Sequence, residues 1–285
     1  MPVIAVVNRK GGSGKSTFAA HVAAWCARRG HAVMLGDVDR QQSSRGWLRR
    51  RSVDLPLISP WTLDNKNMLR VPTGITHAVL DTPGGIHGFE LARVVMFADA
   101  IVIPVCPSVF DRESAAHCHA ELMTLPRVAQ KRCRVASVGM RVDGRTNAAQ
   151  TLRLWSEGIG VEYLGALRET QLYVRSLERG LTIFDLPAHQ VTADLAQWEP
   201  IVQWFQPILE PPQAANDPAQ AKPVVARAHA PRPQNLMPAQ DALIAGARLS
   251  VLSGAKTLSS GRGQPTLARA EAPGESRGLP QFLKR

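Results

Sequence analysis

Eight consecutive residues, Lys10-Gly11-Gly12-Ser13-Gly14-Lys15-Ser16-Thr17, combine two amines, three glycines and three hydroxyls. They follow an apolar run, Val3 to Val7, and a helical pattern opens at Ser16. Strand, glycine-rich turn and helix start form the setting in which successive backbone N–H groups make a nest for an anion, aided by the positive end of the helix. Lys15 is placed to neutralise the β- and γ-phosphates of a nucleotide. Ser16 is placed to set its hydroxyl on Mg²⁺. Gly11, Gly12, Ser13, Gly14 and Thr17 supply the rest of the cradle, the glycines by allowing backbone conformations that a Cβ would block. Position 9 holds arginine where the strict G-x-x-x-x-G-K-[ST] pattern begins with glycine.

Carboxylates occur where such a loop needs them. The run Leu35-Gly36-Asp37-Val38-Asp39-Arg40-Gln41-Gln42-Ser43 ends an apolar stretch, as does Val79-Leu80-Asp81-Thr82-Pro83-Gly84-Gly85. A carboxylate at the C-terminal end of a strand faces the ligand crevice of an open α/β sheet. There it can orient or deprotonate a water, or hold a hydrated metal ion. Asp39 and Asp81 are the candidates, with Asp37 either supporting Asp39 or bonding the turn.

Lys10 makes the pattern specific. A second lysine at the head of the loop is the deviant Walker A signature, and the segment resembles the ParA/MinD family of ATPases. The resemblance extends over roughly residues 2–206 and implies a protein that binds ATP and Mg²⁺ and dimerises around two nucleotides. It implies that Lys10 reaches the partner subunit's phosphates, that Asp39 positions the attacking water, and that Asp81 holds Mg²⁺ through water. Leu167-Arg168-Glu169-Thr170 stands where relatives carry a proline-arginine-asparagine turn near adenine, so Arg168 becomes a nucleotide contact. Arg40 replaces the family's usual proline. ParA-like proteins bind DNA without sequence preference when ATP-bound, respond to a ParB-like or adaptor protein that stimulates hydrolysis, and position a plasmid, chromosome or protein cargo. On that resemblance the chain is expected in the cytoplasm, on the nucleoid when ATP-bound.

The DNA candidates are Arg175 and Arg179, four apart on one helix face. Arg45, Arg49, Arg50 and Arg51 form a second basic cluster that could bind phosphates or simply be solvated. A net charge of +11 suits a polyanion partner.

The elements that must position these residues alternate. Continuous apolar runs at 3–8, 32–38, 76–81, 100–105, 134–141 and 161–167 read as strands buried on both faces. Helical stretches fall near 16–29, 88–97, 112–125, 147–157 and 190–205. The fold class is therefore α/β, a doubly wound and mostly parallel sheet with helices on both faces. Residues 1–208 form this ATPase domain. Residues 209–285 are rich in Ala, Pro, Gly, Ser and Arg and too poor in apolar side chains to offset ordering entropy. From Pro211 onward, ten Lys/Arg stand against four Asp/Glu. Within this tail, 241–258 has apolar residues at helical spacing, so a short docking or membrane-surface helix stays open.

The four cysteines lack any C-x-x-C pair, and Cys118, between His117 and His119, has no second half for a zinc site. The N-terminus has no signal-peptide pattern, and no apolar stretch is long enough to span a bilayer. Two alternatives stay open on the sequence: a MinD-like regulator cycling on membranes, and a metabolic P-loop ligase.

Overall fold

The computed structural model describes residues 1–38, 42–62 and 71–210, all within one unit, Met1–Gln220. In chain order the elements are β1 (Val3–Val6), α1 (Lys15–Arg28), β2 (Val33–Asp37), α2 (Ser43–Leu48), β3 (Ile58–Thr62), β4 (His77–Asp81), α3 (Gly88–Phe97), β5 (Ala100–Val105), α4 (Val109–Thr124), α5 (Pro126–Ala129), β6 (Arg134–Val142), α6 (Ala148–Ile159), β7 (Glu162–Arg168), α7 (Gln171–Glu178) and α8 (Thr192–Leu209). Two 3₁₀ turns, Ile183–Asp185 and Ala188–Gln190, connect α7 to α8.

All seven strands are parallel, in the order β3-β2-β4-β1-β5-β6-β7. β1, β2, β4 and β5 are buried at every position. That is why they read as unbroken apolar runs: helices cover both faces. One core packs Phe18, Val22, Trp198, Ile201 and Phe205 of α1 and α8 against Ile4, Val6 and Val79. The other packs Leu91, Val95, Cys118 and Leu122 of α3 and α4 against Ala5, Ile101 and Ile103. β1 lies between β4 and β5, so the chain departs to opposite sides from its C-terminal end, and a crevice opens there.

The six expected strands are present, and β3 is a seventh that the apolar pattern did not reveal. It lies at the sheet edge and contains Pro60, which an edge strand tolerates because one side of its backbone needs no ladder bond. α2 is likewise additional. α8 runs through Pro200 and Pro207 because Trp198, Ile201, Trp204 and Phe205 on its inner face are all buried. All four cysteines are free and buried. Asp39, Arg40 and the 241–258 segment lie outside the described residues.

Candidate nucleotide and magnesium site

Register brings the acidic residues together. Asp37 of β2 is the direct neighbour of Asp81 of β4, and Asp81 in turn lies beside Val6 of β1, immediately before the glycine loop. Each strand end thus delivers one group to a common place, and no long-range search in sequence is needed once the parallel order is set.

Local bonds hold the loop open as a cradle. Asn8 is buried, donating from Nδ2 to the Pro104 carbonyl at 2.8 Å and accepting the Lys10 N–H at 2.9 Å. Arg9 forms an ion pair with Glu121, whose other carboxylate oxygen accepts the Gly88 N–H at 2.6 Å. The arginine that broke the strict motif therefore ties the loop to α3 and α4. Gly14, at φ +92°, is the residue before α1, and a Cβ there would come within 2.8 Å of the Met140 side chain. Gly11 is different from expectation: its φ is ordinary and a Cβ would meet open space. The constraint lies across from it, where a Cβ on Gly84 would stand 3.2 Å from the Gly11 backbone. The N-cap of α1 is Gly14, which brings no side-chain cap to the helix start at the end of the loop.

The two lysines have separate settings. Lys15 is buried, with Nζ donating to the Lys10 carbonyl at 2.9 Å inside the cradle. Lys10 sits at the rim, 3.4 Å from Asp111 and 5.8 Å above the Phe110 ring. Asp111 is itself fixed by the Ser108 hydroxyl and opens α4.

Asp81 carries the electrostatics. Burial pushes its pKa up to about 6, hydroxyls of Ser44 and Ser16 pull against that, and neighbouring Asp37 adds to the rise. Ser44 Oγ donates to Oδ2 at 2.5 Å, while Oδ1 is buried with no partner within hydrogen-bond geometry among the described residues. A buried carboxylate with one orphaned oxygen, beside the Ser16 hydroxyl and the Lys15 amine, suits a hydrated Mg²⁺ held through water. Asp37 accepts the Arg45 N–H at 3.0 Å, so both carboxylates touch α2.

A cleft of about 770 Å³ runs from the loop to β7 and α7. Its far wall is apolar, with Met140, Leu167, Tyr173, Val174 and Leu177 among the lining residues, as a planar base requires. Arg168 lines this end, but its guanidinium is turned to buried Asp194 in a bidentate pair at 2.9 and 2.8 Å. That pair ties the end of β7 to α8. Arg141, which the motifs do not mark, adopts φ +50° and donates from Nη2 to the Gly12 carbonyl at 2.6 Å. A lone arginine at a strand end carries no signal in sequence.

Of the second arginine cluster, Arg45, Arg49 and Arg50 are exposed. Arg51 is a correction: it is turned inward, bidentate to Asp185 at 2.9 and 3.1 Å, and belongs to the packing rather than to a phosphate-binding surface. Arg175 and Arg179 are exposed on and just after α7.

Comparison with known proteins agrees with this geometry. Residues 4–183 match the family model for the CobQ/CobB/MinD/ParA nucleotide binding domain. A maintenance of carboxysome distribution protein A from Gloeobacter kilaueensis is 37% identical over 114 residues, covering 38% of this chain and 51% of that protein. The chain thus spans about half the length of this curated relative. A protein of the same name from Halothiobacillus neapolitanus is 25% identical over 191 residues, covering 65% of this chain and 88% of its own. The solved ATP complex of a Cyanothece McdA variant superposes with a TM-score of 0.56 at 14% identity, over 73% of this chain and 96% of that one; this likeness is one of fold.

Proposed function

Since the chain belongs to the CobQ/CobB/MinD/ParA nucleotide-binding domain family, we propose that it is a ParA-like ATPase that positions a cargo on the nucleoid. Two subunits close face to face around two Mg²⁺·ATP. The closed dimer binds DNA without sequence preference, and a partner protein stimulates slow hydrolysis, which opens the dimer and releases the DNA. The relatives named for carboxysome distribution support a protein assembly as cargo, and a plasmid or chromosome is a second cargo class.

The observation that carries this reading is the pair of lysines on one loop in two environments, Lys15 inside the cradle and Lys10 at its rim. One amine per nucleotide suffices to hold phosphates in cis. A second at the rim, on a flexible stem, suits a phosphate presented by another subunit, where it favours both closure and the transferring charge. The bound Mg²⁺ supplies charge neutralisation between the phosphates. On the chain itself, Asp81 orients the hydrated ion, Ser16 adds a hydroxyl, the α1 amides and Lys15 hold the phosphates, and the Leu167–Leu177 wall takes the base. Asp39 is assigned to the attacking water on family resemblance.

The test is the Asp39→Ala variant of the full chain. With ATP it is expected to accumulate as a dimer by light scattering and to remain on DNA. Lys10→Ala is expected to bind one ATP per monomer without dimerising. Normal ATP turnover by Asp39→Ala would overturn the water assignment, and a wild type that stays monomeric with ATP would overturn the cycle.

A further inference from the structure

Two basic clusters that are far apart in sequence form one junction in space. Gly180, buried at φ +73°, follows Arg179, and a Cβ there would lie 2.2 Å from the Arg50 carbonyl oxygen and 2.6 Å from the Arg51 nitrogen. Arg51 locks the junction with its buried pair to Asp185 and a bond from Nη1 to the Gly180 carbonyl at 3.4 Å. This brings the residues after α2 against the end of α7. Arg49, Arg50, Arg175 and Arg179 are exposed around it, and none forms an ion pair among the described residues. Glu178 is the one carboxylate of α7.

The other end of α2 touches the magnesium site. Ser44, fully buried, donates to Asp81 Oδ2, and the Arg45 N–H donates to Asp37. The remaining Asp81 oxygen is the orphaned one.

The geometry points to a single phosphate-binding face, made by Arg49, Arg50, Arg175 and Arg179, that grips the backbone of duplex DNA and is tied through Ser44 to the carboxylate that orients magnesium. This rests on the DNA-binding reading above and assigns its surface and its coupling. Whatever moves Asp81 when Mg²⁺·nucleotide enters moves α2, and with it two of the four guanidinium groups. By linkage, DNA that clamps α2 tightens the hold on Mg²⁺·nucleotide by the same factor. Ser44 is a positioning residue in this scheme.

The experiment uses the full chain and a fluorescent duplex, followed by anisotropy across a salt series, without nucleotide and with saturating Mg²⁺ and a non-hydrolysable ATP analogue. Each arginine-to-alanine change is expected to lower the salt slope by about 0.9 for every phosphate that side chain had neutralised. The fourfold variant is expected to lose the nucleotide-dependent binding; the basic residues of 211–285 are common to all variants. Ser44→Ala is expected to shrink the ratio of DNA affinities with and without nucleotide by about fivefold or more, whereas Arg175→Ala and Arg179→Ala, which are not carried by α2, keep that ratio. In the wild type without DNA, hydrogen exchange of Ser43–Arg50 is expected to change on adding Mg²⁺ and the analogue. An unchanged ratio in Ser44→Ala, or exchange indifferent to nucleotide, overturns the coupling. DNA binding unaffected by the four arginines overturns the face. Val53, 98% exposed, lies close by in the chain, so phosphatidylserine vesicles are the counter-test: loss of vesicle binding with intact DNA binding would assign the face to membranes. A wild type that binds no DNA in any state sinks the DNA reading itself.

Discussion

Replacing Asp81 by asparagine should make the nucleotide-free protein more stable while destroying its response to magnesium. Asp81 is almost fully buried, and its pKa stands at about 6 against an ordinary 3.8. The difference corresponds to about 3 kcal/mol. The sign follows from linkage. An acid whose pKa is raised on folding adds stability that is complete below its unfolded value and is lost as pH rises through the folded one. At pH 7.5 the wild type therefore carries the whole cost of the buried charge, and the amide carries none of it. The variant should melt higher by about 6–12 °C at about 2–4 °C per kcal/mol for a domain of this size. At pH 5 the gap should narrow to about half, and below pH 4 it should nearly vanish. Adding Mg²⁺·nucleotide at about a hundred times its Kd should raise wild-type stability by about 2.7 kcal/mol and the variant by much less. Urea unfolding at pH 7.5 and 5, with and without ligand, reads all four values. A variant less stable than wild type at pH 7.5, or a gap independent of pH, would refute the reasoning.

Lys15→Ala removes the one buried amine of the cradle and should weaken ATP binding roughly 10- to 100-fold, as the loss of a charge-assisted bond implies, measured by calorimetry. Gly84→Ala puts a methyl 3.2 Å from the Gly11 backbone; the nucleotide-free protein should lose about 1 kcal/mol in urea unfolding, the low end for overpacking. Arg51→Ala leaves the buried Asp185 charge with the Thr182 N–H and hydroxyl and, as its ion-pair partner among the described residues, the more distant Arg28 at 3.6 Å. It should cost about 3 kcal/mol in urea unfolding, while Arg49→Ala on the exposed side should stay within about 0.5 kcal/mol.

The nucleotide loop and the fold class were legible because the information is local. Continuous burial makes the central strands uniformly apolar, and the cradle needs glycines, lysines and hydroxyls at fixed offsets from one strand end, so Lys10 to Thr17 and Asp81 announce themselves. α2 and β3 were not legible for the opposite reason. β3 lies at an edge with a proline in it, and α2 spans only Ser43–Leu48, too short for a period to show. Arg51 looked like its neighbours Arg49 and Arg50 because a run of arginines cannot say which one turns inward. That is decided by Asp185, 134 residues away.

The same distinction explains why the site residues divide as they do. Groups proposed to hold the phosphates are fixed by covalent proximity, since loop and helix α1 are contiguous. Groups that set the state of the site are fixed by packing between distant segments: Arg9 to Glu121, Ser44 to Asp81, Arg141 to the Gly12 carbonyl and Gly84 against Gly11. Interactions within a contiguous segment survive any rearrangement of the domain, so they cannot report one. Those between segments can be broken and remade. Each of these four links the cradle, or the carboxylate beside it, to a different element: α4, α2, β6 and the turn after β4. A nucleotide that shifts the cradle by a few tenths of an ångström must therefore pull on four elements at once. The surfaces those elements expose, the Arg49–Arg50 segment after α2 among them, are where its presence can be read from outside.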